Sequence, residues 1–254
     1  MEINKIYNED CFDTMKNHID KNSIDLILTS PPYNMTKRKG GVSDTGRYDK
    51  YNDWLSEEDY LNFIINLFNL YDDVVKKNGI CLFNLSYSIE KPSLPEKVVY
   101  MVEKETNWRK VDEITWKKSN GIPFPANQRR LSRICEKIYV FARKDEMNTF
   151  TCNRKVKSIG SNGQKYFDVV YNYIEAKNND GPCRLNQATF SSELVVKLLN
   201  IYGDEGMVVY DSFMGTGTTA VGAIKYGMDY IGSEISEEQC KFAENRILKE
   251  KNNE

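Results

Sequence analysis

The stretch "MVVYDSFMGTGTTAVGAIKYGMDYIGSE", Met207 to Glu234, decides how the chain is read. An apolar β-branched run ends at Asp211 and a loop carrying Gly215 and Gly217 follows. A helix opens near Thr218, and a second short strand ends in Glu234, 19 positions after Gly215. Strand, glycine loop, helix and strand in that order make the layout of a nucleotide site. Glycines let a ligand approach the backbone, a helix N-terminus offers unpaired N–H donors, and a terminal carboxylate can accept both hydroxyls of a ribose. A lone Gly-x-Gly also arises from tight packing at strand-to-helix turns. Asp211 before the loop, Thr218 and Thr219 after it, and Glu234 at this distance favour the nucleotide. The loop is neither GxGxxG nor GxxxxGK[ST], which suits an adenosine without phosphates better than a dinucleotide or a triphosphate.

Outward from this stretch, strand-type and helix-type segments alternate, the pattern of an α/β fold with a largely parallel sheet. Ile24 to Thr29, Gly79 to Asn84, Val111 to Lys117, Lys137 to Arg143, Met207 to Asp211 and Asp229 to Ser233 are short β-branched or aromatic runs bounded by turn residues. Ser56 opens a helical stretch with acidic residues in its first turn, Lys76 and Lys77 in its last, and Gly79 to stop it. "SSELVVKLLNIYG" runs from a Ser cap to Gly203, and "SEEQCKFAENRILKE" carries a capping box from Ser236 to Gln239. Two segments break the alternation. Thr36 to Asp53 reads as a mobile loop, and Asp145 to Gln187, Asn/Lys-rich with Gly160, Gly163 and Gly181, reads as an insertion.

The length of 254 residues fits one main domain, and 40% hydrophobic with 28% charged residues is ordinary for a globular protein. No apolar window approaches the roughly 18 residues of a membrane span, and MEINKIYNED holds no apolar signal core, so a cytoplasmic location and no membrane partner are expected. Six Cys without a CxxC pair and a single His, His18, which reads as a surface residue, argue against a zinc site or a disulfide framework. The net charge of -2 conceals an asymmetry: 15 Lys/Arg stand against 6 Asp/Glu from Lys104 to Lys165, leaving 20 against 31 elsewhere. Such a basic run is commonly a solvated face. Interleaving with Trp108, Trp116, Phe124, Tyr139 and Phe150, together with Lys37, Arg38 and Lys39, points to a groove for a polyanion. Arg129, Arg130 and Arg133 are candidates to clamp phosphates or to line a solvated face, and Glu136 could pair with them.

The other informative stretch is "DLILTSPPYN", Asp25 to Asn34, a buried strand stopped by a polar residue, two prolines and an aromatic. Alone, it would be a turn ending a strand. "TSPPYN" together with "DSFMGTGTT" resembles the paired signatures of S-adenosylmethionine-dependent DNA amino-methyltransferases, with the acceptor motif first and the cofactor loop near the C-terminus as in that family's β class. "NEDCFDTM", "RRLSRICEKIYVFAR" and "NQATFSSELVVKLL" resemble further stretches of the family, so the resemblance spans nearly the whole chain apart from the loop and the insertion. The chain departs from the family in Ser212, which replaces a usual Pro, and in Asn186-Gln187-Ala188 where a His-Pro or Lys-Pro is common.

The resemblance implies a Rossmann-like methyltransferase fold with helices on both faces of the sheet. Residues 1–144 would carry the acceptor motif near 29–34, residues 145–187 a target-recognition insertion, and residues 188–254 the cofactor strand and loop. It implies S-adenosylmethionine as cofactor and DNA as partner, leaves a homodimer open, and admits a partner restriction endonuclease acting on the same site. Implied catalytic residues are Ser30, Pro31, Pro32 and Tyr33: two acceptors, the Ser30 side chain and the Pro31 carbonyl, engage the amino hydrogens of a flipped base on which Tyr33 stacks. Implied cofactor residues are Asp10, Cys11, Thr29, Phe190, Asp211, Phe213, Gly215, Gly217, Thr218, Thr219 and Glu234, with Asp10 equally readable as a helix cap. Ser30 in the first position resembles the cytosine-N4 members, whereas Asp is commoner in adenine-N6 members. Adenine in DNA, an RNA or protein substrate, and a non-catalytic cofactor-binding module are the rival readings.

Overall fold

The computed structural model describes residues 1–34, 54–88, 90–121, 131–146, 150, 152–181, 183, 185–186 and 189–252. The strands are β1 (Lys5–Tyr7), β2 (Ile24–Thr29), β3 (Val75–Leu85), β4 (Trp108–Lys118), β5 (Cys135–Arg143), β6 (Val156–Ile159), β7 (Lys165–Phe167), β8 (Tyr173–Ala176), β9 (Val208–Asp211) and β10 (Asp229–Ser233). The helices are α1 (Cys11–Asn17), α2 (Glu57–Val74), α3 (Leu94–Glu105), α4 (Ser192–Tyr202), α5 (Thr218–Tyr226) and α6 (Glu237–Lys251). Eight strands form one sheet in the order β1-β10-β9-β2-β3-β5-β4-β8. β5 runs antiparallel to both its neighbours, β3 and β4, and every other pairing in that sheet is parallel. β6 and β7 form a separate antiparallel pair.

Period-two alternation sends each strand's side chains into two cores. Ile27, Phe83, Phe141 and Tyr210 face the core shared with α1, α2 and α3. Leu26, Leu28, Leu82, Val140 and Val209 face the core shared with α4, α5 and α6. Each fully buried side chain of this size contributes about 1.5–3 kcal/mol, so both faces of the sheet drive folding. The parallel strands β9 and β2 lie side by side, but the chain leaves β9 toward β10 and leaves β2 toward β3. The order therefore reverses between β9 and β2, and a crevice opens at their carboxyl ends.

The strand and helix assignments made from the sequence hold to within a few residues, with three corrections. First, α2 ends at Val74, and Lys76 and Lys77 lie in β3. The β-branched Val75 pairs with Ile24, and the Arg143 guanidinium takes the carbonyls of Asp72, Val75 and Lys76, replacing the glycine stop that Gly79 was expected to provide. Second, the aromatics of the basic run are core. Trp108 and Trp116 are buried with indole N–H groups donated to Phe68 O and Ala176 O, and Tyr139 is buried as well. Phe150 packs partly buried against the second core, and Phe124 lies outside the described residues. Third, the segment read as an insertion supplies β8 to the sheet edge beside β4, whereas its β6 and β7 are exposed throughout. His18 is half-buried and stacks on Tyr7, 4.4 Å between ring centroids. Among the described residues no helix is long and apolar enough to cross a membrane, and no group of three or more His, Cys, Asp or Glu is placed to hold a metal.

Candidate active site

The carboxyl ends of β2 and β9 are bolted together by one buried carboxylate. Asp211 Oδ1 accepts from Thr29 Oγ1 at 2.6 Å and from the Phe213 amide at 3.0 Å, while Oδ2 accepts from Thr219 Oγ1 at 2.5 Å. Burial raises the Asp211 carboxyl above its usual range, against the opposing effect of those three donors. The loop that follows turns on Gly215 at φ +54° and Gly217 at φ +82°. At Gly217 a Cβ would meet Ala243 Cβ at 2.8 Å, so both φ and space demand glycine. Glu234 closes the loop, Oε2 accepting from the Gly215 amide and Oε1 from the Ser236 amide, each at 2.8 Å.

The crevice at these strand ends is an open cleft. Of the residues singled out in the sequence, Ser30, Pro32, Asp10, Cys11, Phe190, Asp211, Phe213, Gly215, Thr218 and Glu234 line it. Thr29 and Thr219 stand behind the wall as donors to Asp211, and Gly217 shapes the turn. Asp10 serves as the cap of α1, its Oδ1 accepting from the Phe12 amide at 2.8 Å, and it also lines the cleft. Burial pushes the Cys11 thiol well above its usual range, which leaves it protonated and unreactive. Sequence reasoning missed Glu9, Phe63, Asn186 and Gln239, which also line the cleft. Asn186 Nδ2 donates to Gln239 Oε1 at 3.1 Å beside Gly215. An Asn shortly before the Ser cap of α4 was the signal available for Asn186, whereas Phe63 arrives from α2 through packing alone.

At the mouth of β2, Pro31 is buried and the Pro32 carbonyl accepts from Tyr60 Oη at 2.7 Å, so the proline corner is held from behind. Tyr33 is half-buried with its hydroxyl turned into a polar cluster. Ser30 Oγ lies 3.0 Å from Tyr33 Oη and 3.3 Å from Asn84 Oδ1. Tyr33 Oη lies 2.9 Å from Asn84 Oδ1 and 3.3 Å from Glu136 Oε2. Glu136 pairs with Lys118 at 2.6 Å rather than with Arg133, which donates to the Tyr87 carbonyl at 2.7 Å and covers the Tyr87 ring. Arg133 is exposed. Lys37, Arg38, Lys39, Arg129 and Arg130 lie outside the described residues.

The sequence profile of a DNA methylase family grouping the N6 and N4 amino-methyltransferases matches residues 24–245. The chain belongs to that family. This methylase is 24% identical to the type II methyltransferase M1.MboII of Moraxella bovis, over 97% of this chain and 98% of that one. It is 27% identical to the orphan methyltransferase M.BamHII of Bacillus amyloliquefaciens, over 92% of each. Its fold matches the PvuII cytosine-N4-specific DNA methyltransferase with a TM-score of 0.69, at 16% identity over 98% of this chain and 91% of that one. It matches an M1.HpyAVI complex with S-adenosylmethionine at 0.63, 22% identity, 95% and 98% coverage. The methylase is an S-adenosylmethionine-dependent DNA amino-methyltransferase. The donor set of the cleft fits that cofactor: aromatic Phe63, Phe190 and Phe213 offer flat walls to an adenine, and Glu234 offers a carboxylate to ribose hydroxyls.

Proposed function

We propose that this methylase modifies the exocyclic N4 of a cytosine flipped out of duplex DNA. The observation that carries this reading is the position of Ser30: the residue heading the proline corner, a serine, lines the same cleft as Gly215 and Glu234. When bound there, S-adenosylmethionine supplies a sulfonium methyl as electrophile. The amino nitrogen of cytosine is a poor nucleophile because its lone pair is delocalised into the ring. Ser30 Oγ and the Pro31 carbonyl accept hydrogen bonds from its two hydrogens and draw it toward tetrahedral geometry, freeing the lone pair; once the nitrogen carries the methyl, one of those protons is released to solvent. The corner is rigid, since proline has no N–H and the Tyr60 hydroxyl anchors it through the Pro32 carbonyl, so alignment costs little at the moment of reaction. Flipping costs a few kcal/mol, offset by these hydrogen bonds and by stacking on the Tyr33 ring.

Residues 145–187 serve in this reading as the target-recognition part. Supporting it, Val156, Ile159, Tyr166 and Phe167 are exposed on β6 and β7, interleaved with exposed Lys155, Lys157 and Lys165. Such a ribbon offers cations to phosphates and side chains to base edges. Methylating unmodified DNA with the purified chain, digesting it to nucleosides and separating the products tests the base. N4-methyldeoxycytidine is expected; N6-methyldeoxyadenosine as the product would transfer the reading to adenine.

A further inference from the structure

Resting on the reading of Ser30 as an acceptor for the target amino group, we propose that Asn84 and Glu136 are positioning residues that make it one. A serine hydroxyl is ambivalent: its oxygen accepts, but its hydrogen, if turned toward the base, would oppose an amino hydrogen. Something must hold that hydrogen away.

The polar cluster behind the corner does so. It contains two hydroxyl hydrogens, those of Ser30 and Tyr33, and two acceptors facing them, Asn84 Oδ1 and Glu136 Oε2. The orientation of the Asn84 amide is fixed, because Nδ2 donates to the Lys137 carbonyl at 3.1 Å, which leaves Oδ1 toward the corner. Glu136 is fixed in turn by Lys118, which holds Oε1 at 2.6 Å and leaves Oε2 toward Tyr33. With the Tyr33 hydrogen given to Glu136, Asn84 Oδ1, 3.3 Å from Ser30 Oγ, takes the Ser30 hydrogen. The Ser30 lone pairs then face the cleft. The sheet register builds this arrangement: Asn84 stands opposite Ile138 on the β3–β5 ladder, and Glu136 opposite Trp116 on β4–β5. Asn84 is buried and the Glu136 and Lys118 side chains are 13% and 18% exposed, so water competes little for these bonds.

Glu136→Gln tests the idea. Lys118 demands an acceptor, so the new amide presents its oxygen to Lys118 and its NH2 to Tyr33. The Tyr33 hydrogen is displaced onto Asn84, where it competes with that of Ser30. Methyl transfer in a single turnover is expected to slow roughly 10- to 100-fold while KM for DNA and affinity for S-adenosylmethionine stay unchanged. The deciding measurement is a double-mutant cycle with Ser30→Ala: a residue acting through the Ser30 hydroxyl has no further effect once that hydroxyl is gone. Tyr33→Phe, which keeps the ring and removes the link, is expected to slow transfer similarly and to be non-additive with Glu136→Gln, and it stands in should Glu136→Gln fail to fold. Unchanged turnover in these variants, or a slowing that multiplies with that of Ser30→Ala, overturns the inference. Should Ser30→Ala itself retain wild-type turnover, the reading of Ser30 fails instead.

Discussion

Asp211 ends the cofactor strand, yet its carboxylate is taken up by Thr29, Phe213 and Thr219. Its hydrogen bonds hold the strand that leads into Ser30 against the glycine loop. Asp211→Ala orphans three buried donors and is expected to cost about 3 kcal/mol or more, whereas Asp211→Asn, which keeps one acceptor oxygen, should cost roughly 1 kcal/mol. Because burial raises its pKa, the folded chain tolerates the protonated carboxyl better than the unfolded chain does. That stability is present below about pH 4 and is lost as pH rises through the raised value, so wild type should lose ground relative to Asp211→Asn over that window. Urea unfolding at several pH values checks both statements; a difference between the two proteins that does not vary with pH would contradict the second. At this scale the sequence singled out Asp211 from its local setting alone. Asp211 stood out by its place before a glycine loop, but a partner 182 positions away, Thr29, can be seen only in the folded chain. Asn186 was passed over because it departs from a familiar dipeptide, although its side chain lines the cleft.

Among the elements, α4 and α5 lie close because Gly222 has no side chain: a Cβ there would meet Val195 Cγ1 at 2.3 Å and Val195 Cβ at 2.5 Å. Gly222→Ala must push the two helices apart or force Val195 off its rotamer, and a loss of about 1–3 kcal/mol is expected from equilibrium unfolding. A stability equal to or above wild type would show that the helices have room to give. The caps of α2, α4 and α6 were legible, since Ser56, Ser191 and Ser236 each accept from an amide three residues on. The end of α2 was not. Its end is met by Arg143, far along the chain, whose guanidinium sits over the Trp108 ring and takes the carbonyl of Asp72 in the last turn together with those of Val75 and Lys76 just beyond it. Local sequence offered only Lys76, Lys77 and a glycine, which read as a helix terminus and became a strand. The buried tryptophans of the basic run misled in the same way, because an aromatic next to lysines looks alike in a groove and in a strand with one face buried.

For the molecule as a whole, the alternation of elements and the order of the two motifs made the fold class legible, while the sheet order came only with the structure. That order explains why residues near both ends of the chain share one cleft: β2 and β9 are neighbours at the point where the strand sequence reverses direction. The proline corner and the glycine loop are thereby placed on adjacent strand ends, with Ser30 and Glu234 lining a common space. The account rests on a division of labour across that space, the loop holding the donor and Ser30 holding the target nitrogen. Binding and turnover of Ser30→Ala measure it most directly. Calorimetric titration with S-adenosylmethionine should give a Kd within about twofold of wild type, while single-turnover methyl transfer to DNA should fall roughly 100- to 1,000-fold. Transfer persisting at the wild-type rate, or lost together with donor binding, would contradict the account.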